Sequence, residues 1–197
     1  MSKPADHTHC AWAPADDAFY RAYHDTEWGV PEYDSRALWE KLQLDGMQAG
    51  LSWITILRKR ETMREEFDDF DPASIVKWDQ VRIDKALQNA GIIRSPKKIT
   101  ACIGNARAYL DMQSAGEDFS DYCWHWVEGA PIVNALKNYR DGPTNTPLSA
   151  AFSKDLKKRG FKFIGPTIVY AWMQAVGLIN DHELDCPRHK AVQEMTR

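Results

Sequence analysis

Four residues near the first quarter of the chain have types that could do chemistry. Asp45 and Gln48 are followed or separated by Gly46 and Gly50, and an apolar run ending at Leu57 comes next. A packed core needs none of these polar groups. An acid beside a tryptophan such as Trp53 costs free energy unless it has a partner or a task. Glycines there would break helical periodicity and let backbone approach a ligand closely. The same residues also suit an ordinary turn between helices with Asp45 in solvent. This stretch alone leaves both readings open.

A second group lies at the two ends of the chain. His182 and Cys186 stand in H-x3-C spacing, and Cys10 and His24 stand far upstream. Brought together they would form a Cys2His2 set suited to tetrahedral zinc. Neither pair has the spacing of a zinc finger, and His9 and His189 could substitute as ligands. A buried Cys10 with surface histidines is the competing reading.

The third group is basic. Around GFKFIGPT, Gly160 to Thr167, lie Lys154, Lys157, Lys158, Arg159 and Lys162. Phe161, Phe163 and Ile164 would anchor a tight turn in the core, and Gly165 would expose backbone. Amides at the start of the following helix, near Gly165 and Thr167, would then point outward, where a phosphate oxygen can accept from them. The pattern resembles the helix-hairpin-helix motif of DNA repair proteins, with Pro166 in place of one glycine. A plain helix–turn–helix contact with solvated lysines is the alternative, and basic crowding in an acidic chain favours phosphate binding. Trp12, Tyr20, Tyr23, Trp28 and Trp53 form a fourth group; aromatic clusters are often core, but these fall in turns and at helix ends near Asp45.

The elements that must position these groups read as helices. Phe19, Tyr20 and Tyr23 have helical spacing over 16–25, and a second helix is expected from Asp34 or Ser35 to about Leu44. A third should cover Leu51 to Arg58, followed by a densely charged solvated helix. Asp71-Pro72, Asp79, Ser95-Pro96 and Thr146-Pro147 are start signals, and Gly116, Gly160 and Gly177 are stops. GAPIVNALKNYRDGPTNTP reads as a polar connection, and no strand is expected anywhere. The fold class is all-α, with residues 1–9 a disordered lead-in and 10–190 a single domain.

The whole chain sets outer bounds. Its 197 residues, 44% hydrophobic, can bury one full core. A net charge of -3 argues against nonspecific coating of nucleic acid, though not against a local basic face. No apolar run approaches the ~20 residues of a membrane span, and MSKPADHTH has no hydrophobic signal region, which points to the cytoplasm. Four cysteines in such a chain read as thiols or metal ligands rather than a disulfide framework.

Read together, CAW at 10–12, YHDTEWGVP at 23–31, LDGMQAGLSW at 44–53, AGIIR at 90–94, IGNARAYL at 103–110, KKRGFKFIGPT at 157–167 and LINDH at 178–182 resemble the bacterial type I 3-methyladenine DNA glycosylases. The resemblance runs in the family's order from Cys10 to Cys186. It implies a helix-hairpin-helix glycosylase acting on double-stranded DNA with alkylated adenine, monomeric, with no membrane partner. It also implies a structural zinc held by Cys10, His24, His182 and Cys186. The released base would be 3-methyladenine and the product an abasic site.

On that reading Trp12, Tyr20, Tyr23, Trp28 and Trp53 bind the unstacked base, and Asp45 is the catalytic acid that meets its charge and N6 amine. Gln48 and Leu51 are candidates to fill the gap in the duplex, with Lys158, Lys162, Gly165 and Thr167 on the backbone. Pro166 and Thr167 stand where a Schiff-base lysine would be wanted, so a monofunctional enzyme is expected. One departure matters: the family typically carries Glu where this chain has Asp45, whose reach is shorter by roughly one carbon–carbon bond, ~1.5 Å.

Overall fold

A computed structural model describes residues 9–196. Residues 1–8, most of the expected lead-in, and Arg197 lie outside the described residues. The helices are α1 (Ala18–Thr26), α2 (Ser35–Gln48), α3 (Trp53–Glu66), α4 (Pro72–Ile75), α5 (Gln80–Ala86), α6 (Pro96–Ser114), α7 (Phe119–His125), α8 (Pro147–Lys158), α9 (Pro166–Ala175) and α10 (Pro187–Ala191). Asp17, Asp34, Asp71, Asp79, Ser95, Asp118 and Thr146 each accept from a first-turn amide and so fix a helix start. Such a cap is worth about 1 kcal/mol. α9 differs: its N-cap is Gly165, which has no side chain to occupy the first amides.

The core lies between α2 and α9, closed by α6, α7 and α8. Leu38, Trp39, Leu42, Phe152, Leu156, Val169, Trp172 and Met173 are fully buried there. Two of its polar atoms find backbone partners, Trp172 Nε1 on Leu38 O at 3.1 Å and Trp39 Nε1 on Asn105 O at 3.4 Å.

Three expectations are corrected. β1 (Ile132–Val133) pairs in parallel with β2 (Ile179–Asn180), inside segments read as strand-free. Two residues are too few to show the alternation that marks a strand in sequence, so the fold is mostly helical rather than wholly so. α2 does not stop at Leu44 but continues to Gln48, which puts Asp45 on its last turn. α3 runs unbroken through the apolar run into the charged stretch.

Phe163 makes a fourth correction: it is 37% exposed with φ of +55°, whereas Phe161 and Ile164 are buried. Gly46 explains part of this. A Cβ there would lie 3.3 Å from Phe163 O, so the glycine admits the α8–α9 turn rather than a ligand.

Candidate active site

A cavity of about 280 Å³ opens beside α1, the end of α2 and the start of α3. Tyr20 and Tyr23, three apart on α1, share one helical face, and Trp12 and Trp28 flank them from the segments before and after. Asp45 and Gln48 come from the last turn of α2 and Trp53 is the first residue of α3. The rings touch in sequence. Tyr23–Trp53 centroids are 5.6 Å apart, Tyr20–Tyr23 6.4 Å, Trp12–Tyr20 5.5 Å and Trp12–Trp28 4.9 Å. All five aromatic residues singled out from the sequence line this cavity, with Asp45 and Gln48.

Leu51 does not line it and is 42% exposed. Leu136, Tyr139, Ala171, Gln174, Ala175 and Asp181 complete the wall and were not foreseen. The polar Gln174 in the otherwise apolar α9 was the available signal, as was Asp181 within LINDH.

The polar atoms of the cavity divide sharply. Asp181 is fully partnered, accepting from Tyr170 Oη at 2.7 Å, Gln174 Nε2 at 2.6 Å and Asn134 Nδ2 at 2.6 Å. Asp45 is 2% exposed and its Oδ2 has no hydrogen-bond partner. The Trp12 and Trp53 Nε1 atoms are likewise buried and unpartnered. Burial pushes the Asp45 carboxyl up to about 7, opposed by the charge of Lys41. A buried acceptor and two buried donors therefore face a space the size of a small flat molecule, and unmet polar groups of this kind are costly.

Behind Trp12 and Trp28 lie Cys10, His24, His182 and Cys186, all buried, with ligand atoms within 4.8 Å of one another. Among the described residues no other His, Cys, Asp or Glu joins them. His189 instead faces Asn134 O at 2.9 Å. A tetrahedron with metal–sulfur bonds of ~2.3 Å and metal–nitrogen bonds of ~2.0 Å has edges of roughly 3.3–3.8 Å. The observed separations are 3.4 Å for Cys10 Sγ–His182 Nδ1, 3.6 Å for Cys186 Sγ–His24 Nε2 and 3.7 Å for Cys186 Sγ–His182 Nδ1.

The outward nitrogens are tied as well. His24 Nδ1 meets Asp25 Oδ1 at 2.7 Å and His182 Nε2 meets Trp28 O at 3.1 Å, which turns the other nitrogen of each ring inward as a lone pair. Gly29, at φ +78°, leaves room for this: a Cβ there would stand 2.8 Å from His182 Nε2. The donor set fits a divalent metal that favours sulfur and imidazole. Trp28 stacks on His24 and meets His182 edge-on at 4.5 Å, so the cluster and the cavity share a wall.

The turn between α8 and α9 is held from α6. Asn105 Oδ1 accepts from Lys162 N at 2.7 Å, and its Nδ2 donates to Lys162 O at 3.1 Å. Lys154, Lys157, Lys158 and Lys162 are exposed around it. Arg159 is not available in the same way, because it pairs with Asp155 at 3.0 Å and with Glu117. Thr167 is exposed and Gly165 half-buried at the uncapped start of α9.

The sequence profile described as methyladenine glycosylase matches residues 12–189. A curated relative from Haemophilus influenzae, called DNA-3-methyladenine glycosylase, is 52% identical over 180 residues, covering 91% of this chain and 97% of its own. A crystal structure of 3-methyladenine DNA glycosylase I superposes with a TM-score of 0.89 at 51% identity, over 91% of this chain and 98% of that one. A further crystal structure of 3-methyladenine DNA glycosylase I, in complex with 3-methyladenine, gives 0.87 at 38% identity, over 91% and 96%.

Proposed function

The chain belongs to the methyladenine glycosylase family, and from that premise we propose how its own residues carry the reaction. It is a DNA-3-methyladenine glycosylase of base excision repair. It hydrolyses the N-glycosidic bond of 3-methyladenine in alkylated DNA, releasing the free base and leaving an abasic site. Methylation at N3 makes the base cationic. Rupture of the bond to C1′ returns its electron pair to the ring, so the base leaves neutral while water adds its hydroxyl to C1′ and its proton passes to solvent. Little leaving-group help is needed; the task is selection, and the nucleotide must be unstacked to reach the site. Pro166 and Thr167 stand where a Schiff-base lysine would be wanted, so the reaction is a hydrolysis without a lyase step.

The observation that carries the site reading is the unpartnered Asp45 Oδ2 among ring faces. Its carboxylate accepts from the exocyclic N6 amine and attracts the base's charge, while Trp12, Tyr20, Tyr23, Trp28 and Trp53 stack around it. Each ring adds about 0.5–2 kcal/mol by cation–π attraction. Guanine offers O6 at that edge, an acceptor against an acceptor, so alkylguanines are disfavoured. Incubation with methylated duplex DNA followed by chromatography tests this. Free 3-methyladenine is expected; tight binding without release would instead mark a non-cleaving damage reader.

The α8–α9 turn works as a helix-hairpin-helix element on double-stranded DNA. Lys158 and Lys162 contact phosphates, the free amides near Gly165 and Thr167 donate to a phosphate oxygen, and Gln48 and Leu51 enter the gap left by the base. Residues 10–190 act as one domain and as a monomer. Cys10, His24, His182 and Cys186 would hold zinc, which, with four protein ligands and no open position, would serve structure alone.

A further inference from the structure

Lys41 stands one turn before Asp45 on α2 and lies outside the cavity that holds the base. Its Nζ donates to Tyr23 Oη at 3.0 Å and sits 4.5 Å from the Tyr23 ring centroid and 5.0 Å from that of Trp53. It lines a neighbouring cavity of about 260 Å³ that shares only Ala175 with the first. The two arginines there are already matched, and Glu32 accepts from the amides of Tyr33 and Asp34. Arg60 meets both oxygens of Glu27, at 2.5 and 3.0 Å, and Arg64 meets Glu40 at 2.7 Å. Among the described residues no carboxylate lies within salt-bridge distance of Lys41.

This ammonium is therefore held by two pocket rings and one hydroxyl, with an orphaned carboxylate a helical turn away. We propose that Lys41 is a positioning residue of the reaction, keeping Asp45 anionic when the cationic base arrives. The proposal rests on Asp45 being the group that meets the base. Desolvation alone would leave a fully buried carboxyl neutral, because apolar surroundings penalise the charged form. The groups that bear on Asp45 are Lys41 from its own helix and Tyr23 from α1. Those that bear on Lys41 are Asp45 and Glu40 from α2, Glu27 beyond α1 and Arg60 from α3. Burial pulls Lys41 down to about 8, with Asp45 opposing, so the two charges support each other near neutrality.

Lys41 also repels a cationic base, an effect of opposite sign, and pH separates the two. Support for Asp45 slows a Lys41 variant only where the carboxylate is protonating. Repulsion would make the variant faster wherever Lys41 is charged. Single-turnover release of 3-methyladenine from methylated duplex DNA is measured from pH 5.5 to 9 for the parent, Lys41→Met, Lys41→Gln, Lys41→Arg, Asp45→Asn and Lys41→Met/Asp45→Asn, with circular dichroism for folding. Lys41→Met and Lys41→Gln should be about tenfold slower at pH 6, their acid limbs moved up by about one pH unit, and should approach the parent near pH 9. Lys41→Arg should keep the parent limb. In the Asp45→Asn background Lys41→Met should add nothing.

An unmoved acid limb in folded Lys41→Met, a loss equal at every pH, or a faster variant at pH 6 would each overturn the proposal. Should Asp45→Asn match the parent, the Asp45 assignment falls and this inference with it. A parent that releases no base would count against the activity itself.

Discussion

The Cys/His cluster and the aromatic cavity share α1 and the Trp12–Trp28 wall, yet they treat their polar atoms in opposite ways. In the cluster every outward-facing nitrogen has an acceptor, and the inward ligand atoms gather within 4.8 Å of one another. In the cavity one acceptor and two indole donors remain buried without partners, spread across ring faces. A small cation suits the convergent set; a flat molecule with its own donor and acceptors suits the dispersed one. The difference separates a site that completes the fold from a site that waits for a ligand.

Removing the convergent site should have the largest effect. Protein prepared without chelator is expected to carry about one equivalent of zinc, and stripping it, or Cys186→Ala, should lower Tm by more than about 10 °C and abolish excision with it. Metal analysis below a tenth of an equivalent, or full activity after stripping, would show that the shared wall stands without the cluster.

The dispersed site should respond in rate rather than fold. Asp45→Asn is expected to lose about ten- to hundredfold in single-turnover excision, the value of a charge-assisted hydrogen bond of about 1.5–3 kcal/mol. Asp45→Glu should keep or raise activity because it restores the longer reach, and Trp53→Ala should lose rate through stacking. Parent-like excision by Asp45→Asn would make Asp45 a bystander.

Smaller again is the contribution of the α8–α9 turn, which lies outside both regions. Lys158→Ala/Lys162→Ala should weaken binding to any duplex and reduce the slope of log affinity against log salt by about 1–2. A retained slope would place the DNA face elsewhere.

The smallest effect sharpens the contrast directly. Asp45 is raised to about 7 in the fold from an ordinary carboxylate value near 4, so the folded state binds more protons than the unfolded one between these values. Its stability contribution is therefore most favourable at low pH and is lost as pH rises from about 4 to 7. Asp45→Asn should raise Tm by about 2–4 °C at pH 8 and by little at pH 4.5, the usual exchange of stability for a poised site. Equal shifts at both pH values would contradict the buried, unpartnered carboxylate.

Much of this was legible in residue types. Asp, Ser and Thr caps followed by proline marked the helix starts because the chemistry that satisfies first-turn amides is local. The Cys10, His24, His182 and Cys186 set was visible as a possibility, but spacing could not choose among histidines, since the approach of the chain ends is tertiary. Asp45 stood out for its position before an apolar run. Its place on α2, and Gly46 as the seat of the α8–α9 turn, depend on contacts with Phe163 that sequence order does not announce. Nothing in the sequence singles out Lys41; only the fold carries its ammonium onto Tyr23 and Trp53. The β1–β2 pair is too short to leave a pattern.

Cys10 and His182 are 172 positions apart, and the cluster that joins them backs the cavity wall. That wall is therefore also a loop closure: whatever releases either end of the loop frees Trp12 and Trp28 on the side where His24 and His182 hold them.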